Sequence, residues 1–405
     1  MRHPILGHID WAERAYPIVR VLPDRLKAWL AERLAALLKS RTRSSAHPER
    51  VTLFLTDRCN LRCRHCFVSA PDRPETVEAS APELTSGHWE QFFQRSAGRI
   101  SQLLITGGEP TLRPDLPEIL RLAVQVGRVA TINLFSNGLA PQKLKRALDQ
   151  LLDGPAVSLN FQVSIDGPEA FHDANRGVAG SHAQARATLE LLLDLRSRHP
   201  GRINRVVACT AISRRNLELL PETIALVQRL GALHAFTFVR SSERGVFNLS
   251  DQALLSGFSP PDFGDFLGRE DMDKALALVD ERLWRQAPNN LFYATNRVIL
   301  SGIAQSLRQG RPVAAPCLSG VGDIIILPDG GVARCEMLRP FGALPEHGMD
   351  LERLLQSEAA REHFRRTSSC WCVHDCAVGL SIMYHPKLLR ELFSRSKARA
   401  QAPGA

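Results

Sequence analysis

Apolar, β-branched runs bounded by turn residues recur through the first two-thirds of the chain. They are Val51–Thr56, Gln102–Thr106, Val129–Phe135, Ser158–Ile165, Arg205–Ile212 and Ala235–Val239, each of strand length and composition. Between most of them lie segments with apolar residues at helical spacing: His88–Ala97, Leu116–Val126, Gln142–Leu152, His182–Arg196 and Leu217–Leu230. Strands alternating with helices predict parallel βαβ units with right-handed crossovers. Six units wind into an open, partial (β/α)6 TIM-like barrel; a closed one takes about eight.

Past Arg240 the pattern changes. Ser241–Asp262 is rich in Ser, Gly and Pro and reads as a loop, and Glu270–Arg285 and Asn296–Leu307 read as helices. A short strand at Asp323–Leu327 runs into a Pro-Asp-Gly-Gly turn at Pro328–Gly331. At the other end, Leu22, Leu26, Trp29, Leu30, Leu34, Leu37 and Leu38 fall on one face of a helix over 22–38, with Arg25, Lys27, Arg33 and Lys39 off it or at its border. That helix is expected to dock on the barrel through its leucine face, or to meet a membrane surface or partner helix. The divisions expected are a helical extension over 1–50, the barrel over 51–240, a bridge over 241–316, a cysteine-rich module over 317–380 and a basic tail over 381–405.

Composition adds limits. With 44% hydrophobic and 23% charged residues among 405, the chain is neither disordered nor fibrous. A net charge of +9 suits nucleic acid, anionic lipid or acidic peptide alike. Aromatic and basic residues do not interleave as base-stacking surfaces require, so no nucleic acid partner is expected. No apolar stretch approaches the ~18 residues of a membrane span, and Asp10, Glu13 and Arg14 interrupt what a signal peptide would keep apolar. A cytoplasmic protein, with peripheral membrane contact as an option, is expected. Its nine cysteines then signify metal or redox chemistry before disulfides.

Those cysteines cluster. Cys59, Cys63 and Cys66 follow the first predicted strand at spacings of four and three, so three thiolates converge from one loop. A structural zinc site normally closes with four ligands, and nothing nearby offers the fourth. A [4Fe–4S] cluster held by three cysteines keeps one iron open to an external ligand. Further along, Thr106-Gly107-Gly108-Glu109-Pro110, Ser136-Asn137-Gly138 and Ser164-Ile165-Asp166-Gly167 stand at the ends of the second, third and fourth strands, where barrels gather ligand contacts. Arg176, in His172-Asp173-Ala174-Asn175-Arg176-Gly177, can meet a carboxylate.

This ordered set resembles the radical S-adenosylmethionine superfamily. The resemblance makes Cys59, Cys63 and Cys66 the ligands of the catalytic [4Fe–4S] cluster, whose open iron chelates S-adenosylmethionine. It makes Gly107, Gly108, Glu109, Ser136, Asn137, Ser164, Asp166 and Arg176 contacts of that cofactor, with Glu109 paired to its ammonium. His65 fills the slot before the third cysteine, where the family often has an aromatic residue, and Phe67 follows.

The late group, Cys317, Cys335, Cys370, Cys372 and Cys376, resembles an auxiliary-cluster module of the SPASM or shorter twitch type. The match rests on Cys317-x12-Gly330-x4-Cys335 and on the Cys372 to Cys376 spacing. A full SPASM module carries more cysteines and holds two clusters, so one auxiliary [4Fe–4S] cluster is expected. Cys317, Cys335 and Cys376 are its ligands, with the fourth open between Cys370 and Cys372; a second cluster would need His374 or Asp375. A zinc knuckle on the same residues is the alternative. Cys209, inside a strand, is expected to be a core residue.

By that resemblance the chain is an enzyme that reductively cleaves S-adenosylmethionine to a 5′-deoxyadenosyl radical and abstracts hydrogen from an unactivated carbon. Oxidation or crosslinking of a ribosomally made peptide or protein is the leading expectation. A small-molecule or lipid-linked substrate is the second, and a non-catalytic iron–sulfur or zinc sensor the third. An external electron donor such as flavodoxin or ferredoxin and a separate peptide-recognition protein are implied. His65, His172 and Glu243 are candidates for proton transfer by position alone.

Overall fold

The computed structural model describes residues 9–44, 48–66, 82–239, 266–313, 317–367, 372, 374–382 and 384–394. Two helices, α1 (Ile9–Val21) and α2 (Asp24–Ser44), precede β1 (Arg50–Phe54). The barrel continues with α3 (Ser86–Arg95), β2 (Gln102–Thr106), α4 (Leu116–Gln125), β3 (Thr131–Ser136), α5 (Pro141–Leu152), β4 (Ser158–Ser164), α6 (Glu169–Arg176), α7 (Ser181–Arg198), β5 (Ile203–Ile212), α8 (Leu220–Leu230) and β6 (Leu233–Phe238). Then follow α9 (Arg269–Val279), α10 (Leu291–Gln309), β7 (Asp323–Ile326), β8 (Gly331–Ala333), β9 (Gly342–Ala343), α11 (Leu351–Leu355), α12 (Glu358–Arg366), α13 (Asp375–Ile382) and α14 (Pro386–Phe393).

The six strands expected from the apolar runs form, with ends within two residues of those read from sequence. They pair in parallel in chain order, β1 to β6, and the sheet does not close. The partial barrel is therefore as expected. Its strands are largely buried on both faces, as parallel strands roofed by helices must be. Outside them, Trp89, Phe92 and Phe93 of α3 are fully buried. Thr85 starts that helix with a capping box, its Oγ accepting from His88 N–H while its own N–H donates to the His88 ring.

β7 joins the cysteine-rich segment to the barrel sheet. It lies parallel to β1, with Arg50 opposite Asp323 and Leu53 opposite Ile326, and β8 and β9 extend the same sheet antiparallel. The late-cysteine segment thus grows from the barrel's own edge. The helix expected over Glu270–Arg285 ends at Val279 and continues as a wider π turn over Asp280–Trp284.

The N-terminal helix also differs. A break at Leu22-Pro23 separates α1 from α2, and the buried face of α2 is Lys27, Ala31, Ala35 and Leu38. Ala31 and Ala35 let α14 come close, and Leu388, Leu389 and Leu392 pack there. Leu26, Trp29 and Leu37 of the expected docking face are exposed, whereas Lys27 is covered. Ala31 and Ala35 set the docking side together with Leu34 and Leu38, the part of the expected face that is covered.

Candidate active site

The cysteine loop is held from three sides. Leu55 N–H donates to Thr106 O (3.0 Å), Gly108 N–H to Thr56 O (2.7 Å) and Glu109 N–H to Arg58 O (2.8 Å), so the loop after β2 is laced to residues 56–58. That approach needs both glycines. A Cβ on Gly107 would stand 2.4 Å from Thr56 O, and one on Gly108 2.2 Å from Arg58 O. Gly107 also holds φ at 138°, open to glycine alone. From the second side, Glu83 binds Thr56 and Arg58 and lies 3.5 Å from Arg113, whose guanidinium also donates to Leu55 O and Leu84 O (both 2.8 Å). The third side is the end of α6. Its last carbonyls, which a helix leaves without internal partners, accept from the cysteine loop: Asn175 O from Arg64 N–H (3.1 Å) and Arg176 O from Arg62 N–H (3.0 Å).

Arg176 then turns its side chain toward the thiols. Nε and Nη2 form a bidentate pair with Asp166 (2.7 and 2.9 Å), and Nη1 reaches Cys63 Sγ at 3.5 Å. Asp166 is fully buried. Burial alone would raise its carboxyl, but Arg176 and His65 beside it hold it well below the usual carboxylate range. Asn175 bridges Asp166 Oδ2 (2.8 Å) and His65 Nδ1 (3.1 Å). Asn137 Nδ2 lies 2.8 Å from Asn60 Oδ1 and 3.9 Å from Cys59 Sγ.

A cavity of about 650 Å³ opens inside the barrel from this loop. Of the expected cofactor contacts, Gly107, Gly108, Ser136, Asn137, Ser164 and Arg176 line it, with Cys59, Cys63 and Cys66. Glu109 and Asp166 stand behind the wall. Glu109 accepts at Oε1 from Thr111 N–H, Thr111 Oγ1 and Ser136 Oγ, and at Oε2 from Asn137 N–H, which leaves Oε2 a further acceptor site. These bonds tie the loop after β2 to the end of β3, and burial raises the Glu109 carboxyl despite them.

The late cysteines meet the same cavity. Cys335 and Cys376 line it, as do Glu336, His374 and Asp375. Arg334 gathers their segments: its guanidinium donates to Ser319 O (2.6 Å), Cys317 O (3.2 Å) and both Thr367 O (2.5 Å) and Oγ1 (2.8 Å). Cys372 Sγ accepts from His374 N–H at 3.4 Å, while His374 Nε2 lies 2.6 Å from Glu336 Oε1. Cys370, Phe67 and Glu243 lie outside the described residues.

Sequence reading missed several participants. Glu83 and Arg113 carry no motif. Asn175 adjoins Arg176 within a quoted segment, and that adjacency was the available signal. Cys209, expected in the core, faces the cavity, because alternation along β5 points Arg205, Cys209 and Ala211 inward together. His172 is instead a buried structural group, its ring nitrogen accepting from Asp166 N–H (3.1 Å) and burial lowering its pKa to about 4.

The donor set fits an iron–sulfur cluster better than a single ion. Zinc holds thiolates at about 2.3 Å each, which crowds the sulfurs together. Among the described residues, the only three metal-binding groups within 4.8 Å of one another are His374, Asp375 and Cys376. Cys59, Cys63 and Cys66 line the cavity without all falling within that distance of one another. Burial pushes the Cys59 thiol up to about 11 and Cys63 to about 12, so at neutral pH these thiols become thiolates on binding a metal centre.

A partial α/β barrel whose mouth carries three convergent thiols and a glycine-lined cofactor cavity defines a cluster-dependent barrel enzyme. Residues 53–226 match the Radical SAM superfamily model, and the barrel is a radical SAM domain. That family's cofactors are a [4Fe–4S] cluster and S-adenosylmethionine. An AdoMet-dependent heme synthase from Methanosarcina barkeri is 35% identical over 201 residues, 47% of this chain and 51% of that one. A PqqA peptide cyclase from Rhodopseudomonas palustris is 34% identical over 191 residues, 46% of this chain and 45% of that one. The chain thus spans about half the length of these curated relatives. Native anSMEcpe with bound AdoMet shares the fold at a TM-score of 0.55 and 16% identity, over 85% of this chain and 96% of that one. Streptococcus suis SuiB bound to S-adenosylmethionine does so at 0.53 and 12%, over 82% and 70%.

Proposed function

We propose that the chain is a radical S-adenosylmethionine enzyme that oxidises or crosslinks a ribosomally made peptide, with an auxiliary [4Fe–4S] cluster assisting. The observation that carries this reading is the single cavity lined by the early cysteines at one end and by Cys335 and Cys376 at the other. A substrate lodged there would touch both cluster sites. Bound at the early site, the cofactors supply a one-electron cleavage of the sulfonium and hydrogen abstraction from an unactivated carbon. The chain's own groups hold and position. Cys59, Cys63 and Cys66 would ligate the catalytic cluster, with Arg176 beside Cys63. Gly107, Gly108, Ser136, Asn137 and Ser164 present backbone and short polar groups to the cofactor.

Cys317, Cys335 and Cys376 would hold the auxiliary cluster, with Cys370 or Cys372 as fourth ligand, and Arg334 keeps their segments together. Phe236, Phe238 and Phe292 line the cavity and exclude water from the reacting centre. At about 650 Å³ the cavity is of small-ligand size, so a peptide would enter by one or two side chains. A separate recognition protein would present that peptide, and flavodoxin or ferredoxin would deliver the electron. The named relatives include a peptide cyclase and a heme synthase, which favours a small-molecule substrate as the second reading.

Anaerobically reconstituted protein, given reductant and S-adenosylmethionine, should form 5′-deoxyadenosine faster when peptides from the source cells are added. A peptide product lighter by the mass of two hydrogens is expected. Stimulation by the small-metabolite fraction alone would instead establish the second reading.

A further inference from the structure

Among the described residues, six large hydrophobic side chains are exposed, and five of them lie on α1 and α2: Ile18, Val21, Leu26, Trp29 and Leu37. Trp29 is 51% exposed and Ile18 66%. Leu26, Trp29, Arg33 and Leu37 recur at steps of three and four residues, which places them along one helical face. Lys27, Ala31, Ala35 and Leu38 fall on another, the one covered by α14. The apolar ridge therefore remains after the helix has already docked. Its contact cost in water is not explained by the barrel or the cofactor site.

The charge of the two helices leans basic. Residues 9–44 hold eight Lys and Arg against four Asp and Glu. Two of the four acids are engaged, Glu13 with Arg205 and Asp24 with Lys27. Arg14, Arg25 and Arg33 are exposed, as are Lys387 and Arg390 on the neighbouring α14. The Arg33 guanidinium stands over the Trp29 ring, 5.7 Å from its centre, a cation–π contact that keeps a positive charge beside the apolar ridge. No helix among the described residues is long and apolar enough to cross a membrane.

We propose that α1 and α2 dock the protein on an anionic lipid surface, lying in the plane of the interface. A convex helical ridge of Leu, Ile and Trp bordered by arginines suits a deformable headgroup layer, and the basic excess supplies attraction to anionic headgroups. A protein partner would require a groove shaped to the same ridge. The inference is independent of the substrate.

The test is co-sedimentation of the full reconstituted chain with vesicles of phosphatidylglycerol mixed with phosphatidylcholine, or of phosphatidylcholine alone. The chain should pellet with the mixed vesicles, remain in solution with the neutral ones, and be released by salt. Joint replacement of Leu26, Trp29 and Leu37 by Ser should weaken partition by about tenfold or more at an unchanged thermal midpoint. The pair Arg25→Glu and Arg33→Glu, which keeps the apolar ridge, should remove the preference for anionic vesicles. Failure of the wild type to pellet would overturn the proposal, as would undiminished binding by the serine variant. So would a wild-type dimer that the serine variant dissolves in the absence of vesicle binding, since the ridge would then belong to a second copy.

Discussion

Replacing Gly108 by Ala is expected to strip the early cysteine site of its iron while leaving the barrel folded. The new methyl would stand 2.2 Å from Arg58 O, 2.6 Å from Arg58 C and 2.8 Å from Asp57 O. All three are backbone atoms, so no rotamer change relieves the clash. The loop must separate, breaking the bonds from Gly108 N–H to Thr56 O and from Glu109 N–H to Arg58 O, and Cys59 follows one residue later. Overpacking of this kind costs about 1–3 kcal/mol, far less than a barrel this size requires to unfold but enough to displace a loop. Iron should fall by about four atoms per chain, the content of one cubane cluster. Gly268→Ala is the control, since its added methyl meets nothing within 4 Å. Full iron content in Gly108→Ala would refute this account of the motif.

The second large effect concerns Arg176. Arg176→Met would leave Asp166, 0% exposed, as a buried carboxylate without its cation. Breaking such a pair costs about 3–5 kcal/mol, and Cys63 would lose its nearest positive charge. A large drop in thermal midpoint is expected, together with weaker cluster retention. Adding Asp166→Asn should recover part of the stability, since the stranded charge goes with it.

The pH dependence follows from the sign of the shift. In the wild type the depressed Asp166 pKa contributes stability that is present above the unfolded carboxylate value of about 4 and is lost only in strong acid. In Arg176→Met, burial without a partner raises the same carboxyl, so stability falls as pH rises. The gap between the two proteins should therefore widen with pH above about 4. Thermal melts across that range measure it, and a gap that narrows toward neutral pH would contradict the pairing.

The legible part of this fold was whatever local patterning controls. β1 to β6 announced themselves because each is an apolar run buried on both faces and bounded by turns. The cysteine loop and the Gly107-Gly108 turn were legible as motifs at strand ends, but their facing was not. Glu109 and Asp166 look like ligand contacts in sequence, and in the structure they also bind across to other elements, Glu109 to Ser136 and Asn137 and Asp166 to Arg176. No local rule distinguishes a carboxylate that meets a ligand from one that holds the wall. Cys209 could have been placed from strand phase, since Arg205 and Ala211 share its side of β5. The pairing of β7 with β1 is a contact across more than 250 residues of chain, and α6, short and polar, gave no apolar period. Likewise Ala31 and Ala35 carried too little hydrophobicity to reveal that α2 docks through them.

The most direct test of the central claim is an anaerobic count of iron and sulfide with assay of 5′-deoxyadenosine. It compares the wild type, the variant with Cys59, Cys63 and Cys66 replaced by Ala, and Arg334→Met. About eight irons are expected in the wild type and about four in the alanine variant, which should form no deoxyadenosine. Arg334→Met should lose the other four or so and still cleave the cofactor. Zinc in place of iron, or deoxyadenosine persisting without the three early cysteines, would contradict the account.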